Sequence, residues 1–344
     1  MILNSKMLTG KAKELETYLN STVIGQEEAI KELCICTQKY FSGLSNPRRP
    51  IAAYFFAGKT GCGKTKVAEE LANFFGVKKF IKVNCGEYQH SHEIAKLIGS
   101  PPGYLGHNET KAVFNKKDVE SHTPNVILFD EIEKATDAVY HLLLSILDKA
   151  EIRLGNNETV SFTNCIIVFT SNIGVDTIKS KKKEIAFVKN LVEKTDEQTL
   201  LIKAMNSKFR PEFINRLDEI IQFNSLTEEH LKTILDLQLT DLQNRILTNS
   251  ITEKKIFFFL NDAAKSYLID KGFSEEYGAR FLNRVISKEL EFPLACVLGD
   301  PSLDIADLVE IKLHEDKSSL FFEKTRFTKG KKSKKVTIDL RKEI

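Results

Sequence analysis

No uninterrupted apolar run in this 344-residue chain approaches the roughly 18 residues that a bilayer span requires. The opening stretch, MILNSKMLTGKAKELE, likewise lacks the apolar core of a secretory signal. No membrane partner is expected, and the compartment the sequence predicts is cytoplasmic. Cysteine is sparse and scattered, at positions 34, 36, 62, 85, 165 and 296, without a CxxC pair. Such spacing builds neither a disulfide frame nor a zinc site, so the thiols read as reduced. A net positive charge is missing from most of the chain. The net charge is +3, but residues 315–344 carry ten Lys or Arg against five Asp or Glu, a balance of +5 that leaves the remainder near −2. A body of that charge gives no footprint for a specific nucleic acid, and the KGKKSKK run reads as part of a solvated basic tail.

What is present is an ordinary globular composition, 42% hydrophobic and 28% charged, on a chain long enough for two domains. Residues 26 to 42 carry Ala29, Leu33, Cys36 and Tyr40 at helical spacing, halted by Gly43 and the loop SNPRRP. Short apolar runs then recur at 51–57, 80–84, 125–130 and 164–170, separated by helical stretches such as 64–75 and 138–147. That alternation predicts an α/β fold with a parallel sheet flanked by helices. After IIQF at 220–223 the pattern changes. A helix is expected from Thr227 through Leu247, a short strand at IFFFL, a helix from Ala263 to Gly272, a last helix carrying Leu282, Ile286 and Leu290, and a closing strand at LVEIKL. The expected organisation is an N-terminal linker or helix over 1–20, a large domain over 21–224, a small, mostly helical domain over 225–314 and a basic tail over 315–344.

The chemistry concentrates in the large domain. Gly58-Lys59-Thr60-Gly61-Cys62-Gly63-Lys64-Thr65 fits the phosphate-loop pattern GxxxxGK[ST], between an apolar run and a helical one. Backbone N–H groups at a helix N-terminus cradle phosphate oxygens when glycines let the chain come close. Lys64 then supplies the charge for the β and γ phosphates, and the Thr65 hydroxyl is placed to ligate Mg²⁺. Cys62, inside this loop, is a candidate oxidation-sensitive thiol. NVILFDEIEKA ends a buried strand in two adjacent carboxylates, of which Asp130 is assigned to Mg²⁺ and Glu131 to the general base.

Asn172, at the polar end of NCIIVFTSN, is placed to hold the attacking water or read the γ phosphate; the plainer alternative is a turn-forming asparagine. Arg216 in FRPEFINRLDEI and Arg280 in EEYGARFLNRVI are guanidinium groups on apolar-anchored segments, suited to developing phosphoryl charge. A surface ion pair of Arg216 with Asp218 is the competing reading. Gly103, Tyr104, Leu105 and Gly106 close the segment GSPPGYLG, an expected solvent-facing loop with an aromatic at its tip.

Taken in order, VIGQEEAI, NPRRPIAAYFFAGKTGCGKT, IGSPPGYLG, LFDEIEKA, FRPEFINRLDEI and YGAR resemble the AAA+ ATPases of the Clp unfoldase family, in particular the second ATPase module of ClpA, ClpC and ClpB. The resemblance runs from about residue 23 to 298. It implies an AAA+ P-loop NTPase core, ATP and Mg²⁺ as cofactors, and a homo-hexamer. Val23 and Ile24 become adenine neighbours, Asn172 the first sensor, Arg216 the finger inserted into a neighbouring subunit's site, and Arg280 the second sensor. Tyr104 matches the pore-loop aromatic that grips unfolded or tagged protein substrates. The implied activity is ATP-dependent unfolding of polypeptides threaded through a ring, feeding a ClpP-like peptidase with adaptors or acting as a stand-alone remodelling ATPase.

Three positions depart from the family pattern. Lys59 stands where proline is usual, Thr110-Lys111 where a Gly-Gly pair is frequent, and Ile185-Ala186-Phe187 where protease-coupled members carry Ile-Gly-Leu or Ile-Gly-Phe. The last triplet is the candidate protease-docking loop. An amino-terminal domain and a first ATPase module are not part of the sequence, so the expectation is either a single-ring protein or a fragment. Two other readings stay open on the sequence: a nucleic-acid-directed AAA+ motor, and a scaffold that binds nucleotide but barely hydrolyses it.

Overall fold

The computed structural model describes residues 7–90, 93–100, 112–121, 123–173, 194–249, 254–274, 277–305, 307–316, 318–325 and 336–338. The chain divides into two compact units, one formed by residues 1–59 and 63–224, the other by 60–62 and 225–344.

The first unit is built on the strands β1 (Ala52–Ala57), β2 (Ile81–Asn84), β3 (Asn125–Asp130), β6 (Cys165–Ser171) and β7 (Glu219–Gln222), in the order β2-β3-β6-β1-β7. Every pairing within it is parallel. All residues of β1 and β6 are buried, as are the first five of β3, because a central parallel strand is covered on both faces and is mostly apolar in consequence. At one edge, β2 alternates buried and exposed residues instead. A hairpin of β4 (Glu151–Arg153) and β5 (Thr159–Ser161) stands apart from this sheet.

Helices Gly10–Thr22, Glu27–Phe41, Lys64–Phe74 and Asp137–Lys149 bury amphipathic stripes, among them Leu15, Leu33, Leu71 and Leu143. An aromatic chain ties the core together. Phe129 stacks on Phe169 at 5.4 Å between ring centroids, and Phe169 meets Phe213 edge-on at 5.2 Å. Phe213 lies on the short helix Pro211–Ile214, so the FRPEF segment is pinned to the sheet three residues before Arg216.

The second unit carries the helices expected of it. Glu228–Thr248 begins in a capping box in which Thr227 Oγ1 accepts from the His230 N–H at 3.3 Å and His230 Nδ1 accepts from the Thr227 N–H at 3.3 Å. Asp262–Gly272 is capped by Asn261, and Ala279–Ile286 runs on through a π turn at Ser287–Glu291 into Phe292–Gly299. The sheet is larger than expected. The strands β8 (Phe257–Leu260), β9 (Leu308–Leu313), β10 (Leu320–Thr325) and β11 (Val336–Ile338) form one sheet in the order β11-β10-β9-β8.

The limit of the small domain at residue 314 is thus overturned by β10. Residues 320–325, assigned to a solvated tail, pair antiparallel with β9 and bury Phe322 in the core of this unit. Counting charge concealed the strand, since Glu323 and Lys324 are themselves buried as paired ions. The run KGKKSKK at 329–335 lies outside the described residues.

Candidate nucleotide site

In an open parallel sheet a ligand binds beyond the carboxyl ends of the strands. The order β3-β6-β1 sets three such ends side by side, carrying Asp130 and Glu131, Asn172, and the loop that begins at Gly58. The loop leaves β1 with the Gly58 N–H donating to the Ser171 carbonyl at 3.2 Å, so its first residue is anchored on β6. Gly63 caps the helix Lys64–Phe74 at φ +105°, a conformation that strains any residue with a Cβ. That conformation turns the chain from strand into helix and aims the helix N-terminus at the loop.

Lys64 is buried, with only 8% of its surface exposed. Its Nζ donates to the carbonyls of Gly58 at 2.6 Å and Lys59 at 2.9 Å, and to Asn172 Oδ1 at 3.1 Å. Two residues 108 positions apart, singled out on separate grounds, therefore share a hydrogen bond. Thr65 is half-buried one residue into the helix, and Cys62 is buried, which withdraws its thiol from oxidants in solution.

Asp130 and Glu131 are organised by a residue the sequence reading passed over. The Thr170 hydroxyl, buried on β6, donates to Asp130 Oδ1, and Thr170 Oγ1 in turn accepts from the Glu131 N–H at 3.2 Å. Lys82 on β2 pairs with the other Asp130 oxygen at 3.3 Å. Glu131 adopts φ +56° and ψ +51°, a left-handed conformation rare for a residue with a side chain and characteristic of sites where the backbone is held by its surroundings. The reversal brings Lys134 back to Glu131, with Nζ to Oε2 at 2.6 Å. The hydrogen bond from Glu131, and its charge, push the Lys134 pKa upward.

Glu133 was also missed. Its Oε1 accepts from the Asn172 N–H at 3.2 Å, which fixes the backbone from which that amide side chain reaches Lys64. Beneath them Cys85 is fully buried, and burial together with Asp130, Glu133 and Glu131 pushes its thiol well above the usual range, so it is inert packing.

Arg216 does not pair with Asp218. Its Nε donates to Asp148 Oδ1 at 2.5 Å and its Nη1 to the Glu212 carbonyl at 3.0 Å, and the bond to Asp148 raises its pKa. Asp218 instead accepts from the Ala53 N–H at 2.7 Å and faces Arg49 at 4.0 Å. Arg280 belongs to the second unit, exposed in the first turn of the helix Ala279–Ile286.

Val23 is buried at the end of the helix Gly10–Thr22, with Ile24 half-buried beside it. Two residues after Ile24, Gln26, 2% exposed, makes two hydrogen bonds to the Asn224 backbone, donating to its carbonyl and accepting from its N–H, each at 3.0 Å. A clamp over 198 positions has no local signal in sequence.

Gly103, Tyr104, Leu105 and Gly106 lie outside the described residues, as do Ile185, Ala186 and Phe187. The stems flanking the first of these segments are fixed. The Val113 and Phe114 N–H groups donate to the Lys96 and Leu97 carbonyls at 3.0 and 2.9 Å, and Leu97 and Phe114 are fully buried.

The donor set fits a hard divalent cation. Mg²⁺ takes one or two protein oxygens and completes its shell with water and phosphate, and a threonine hydroxyl with one carboxylate answers that description. Among the described residues no group of three or more His, Cys, Asp or Glu side chains could hold a metal without such help.

The family model of the AAA domain (Cdc48 subfamily) matches residues 49–220, and that of the C-terminal, D2-small domain of ClpB matches residues 226–311. The chaperone protein ClpB of Gloeobacter violaceus is 36% identical over 309 residues, 89% of this chain and 34% of that protein. The Clp protease ATP-binding subunit ClpC of Staphylococcus aureus is 37% identical over 295 residues, 84% of this chain and 35% of its own length. This chain thus spans about a third of the curated relatives it matches. Among solved structures, the extended conformation of the S. cerevisiae Hsp104:casein complex is similar, with a TM-score of 0.77 and 32% identity over 90% of this chain and 52% of that one. A closed-state reconstruction of Hsp104 with ATPyS and FITC casein has a TM-score of 0.74 at 33% identity, covering 87% of this chain and 50% of that one. An AAA core continuous with a small domain of the ClpB type, and a phosphate loop whose lysine meets the strand-end asparagine, place this chain in the Clp family of AAA+ ATPases, where it corresponds to the second ATPase module.

Proposed function

We propose that this chain hydrolyses ATP and converts the hydrolysis into traction on polypeptides threaded through a homo-hexameric ring. The observation that carries the reading is the meeting of Lys64 with Asn172 beside the Asp130-Glu131 strand end. Lys64 exchanges its carbonyl partners for phosphate oxygens. Thr65 and Asp130 would hold Mg²⁺, which would supply neutralising charge to the phosphates. Glu131 accepts the proton of the attacking water, and Asn172, held by Glu133, orients that water or the γ phosphate. Val23 and Ile24 form an apolar seat for adenine.

Arg216 works in the site of a neighbouring subunit. Its segment is anchored by Phe213, while Asp148 holds the guanidinium ready. Arg280 reports the nucleotide to the second unit. Tyr104 grips the client by apolar contact, which suits a motor indifferent to sequence. Support for a protein client comes from the relatives: ClpB is named a chaperone, and the Hsp104 structures contain casein. Coupling to a ClpP-like peptidase through Ile185-Ala186-Phe187 draws on ClpC, named a protease subunit. A cytoplasmic setting completes the reading.

The test is ATPase turnover of the full chain with and without casein. Stimulation by casein and not by DNA or RNA, together with loss of turnover in Glu131→Gln, is expected. Stimulation by nucleic acid alone would replace the reading with that of a nucleic-acid motor.

A further inference from the structure

We propose that Lys134 is a brake on Glu131: a positioning residue that holds the carboxylate in an ion pair from which it must be released before it can take a proton from water. The inference rests on Glu131 being the general base. Lys134 Nζ lies 2.6 Å from Glu131 Oε2, and both side chains are only partly exposed, at 48% and 35%. The pair is seated rather than loose. The Lys134 stem runs along the turn Cys85–Glu87, close enough that a Cβ placed on Gly86 would sit 3.5 Å from Lys134 Cδ and 3.8 Å from Glu131 Oε2.

The neighbouring amide that could take over the carboxylate is engaged elsewhere. Asn84 Oδ1 accepts from the Gly86 N–H at 3.1 Å, and its Nδ2 donates to Glu87 at 3.2 Å. The backbone contributes as well, since the left-handed turn at Glu131 and the bond from the Lys134 N–H to the Glu131 carbonyl at 3.0 Å return the lysine to the carboxylate three residues earlier. A carboxylate so paired is oriented toward its own turn and held there by the lysine. Hydrolysis then includes a step in which Glu131 leaves Lys134, and the strength of the pair sets part of the barrier.

Steady-state ATP hydrolysis by the full chain tests this with Lys134→Met, Lys134→Arg, Glu131→Gln and the double variant Glu131→Gln/Lys134→Met. A partly exposed ion pair is weak, so Lys134→Met is expected to raise kcat by about two- to fivefold while the KM for ATP stays within about twofold. Lys134→Arg restores the parent rate, and the gain vanishes in the Glu131→Gln background. Binding of a fluorescent ATP analogue checks that each variant is folded. Should Lys134→Met fail that check, Lys134→Gln takes its place with the same expectation. A kcat that is unchanged or lower, or a gain that persists without Glu131, overturns the brake. A parent that turns over no faster than Glu131→Gln overturns the general-base assignment itself, which is a separate failure.

Discussion

Both units bury charged side chains next to a β-sheet, but to different ends. In the first unit Lys64 opens a helix directly after a glycine loop, bonded to two backbone carbonyls and an amide oxygen, partners it can exchange for a ligand. In the second, Lys324 meets Asp307 at 2.5 Å, while Lys312 bridges Glu323 at 2.7 Å and Glu310 at 2.9 Å. Glu310 and Glu323 stand opposite each other across β9 and β10, where two like charges would repel without that lysine. These ions are partnered by one another across the sheet. Buried charge marks a binding site only when its present partners are replaceable; where the partners are opposite charges locked in a ladder, it marks a register.

The comparison breaks or sharpens with a graded set of variants. The largest effect is expected from Arg216→Ala, which should lower turnover by about 10³- to 10⁵-fold in the assembled protein. ATP affinity should persist, and a chain whose turnover is untouched would remove Arg216 from any active site. Next comes Glu131→Gln, with a loss of roughly 10²- to 10⁴-fold in kcat and retained nucleotide binding, read by single-turnover hydrolysis. Lys324→Met leaves Asp307 buried and unpaired, and should destabilise the second unit by about 3 kcal/mol. Urea denaturation and hydrogen exchange across 308–325 would measure that loss, and ATP affinity should not move; a fall in affinity at unchanged stability would show that this charge serves the site after all.

Thr170→Val removes the hydroxyl between Asp130 and the Glu131 N–H at little change in volume. It should cost about 1–3 kcal/mol, distributed between stability and the Mg²⁺ concentration needed for half-maximal turnover. The smallest effect belongs to Thr227→Ala, which opens the capping box of the helix Glu228–Thr248 for about 1 kcal/mol of stability and no change in kcat.

Legibility in the sequence followed locality. The strand Asn125–Asp130 occupies the residues expected of it, because a run buried on both faces is continuously apolar and its polar end is sharp. Thr227 is read correctly as a helix start, since a cap and its helix are neighbours in sequence. Thr170, Glu133 and Gln26 escaped notice because each acts on a partner 39 to 198 positions away, and nothing in the local spacing announces the contact. Asp148, the partner of Arg216, is 68 positions from it, whereas Asp218, the partner in the competing reading, is two residues away. The strand β10 was lost for a related reason. Its charges looked solvated until β9 and residues 302–307 supplied their counterparts.

The chain by itself determined most of its elements and the kind of chemistry it holds, because backbone conformation, apolar period and the glycine spacing of a phosphate loop are set by neighbours within a few residues. Only the tertiary structure decided which polar groups face one another. The order β3-β6-β1 brings Asn172 to Lys64 and Thr170 to Asp130, the turn at Glu131 brings back Lys134, and β9 gives the charges of β10 their partners. Hydrogen bonds and ion pairs act over about 3 Å, and a linear order of residues carries no such distances.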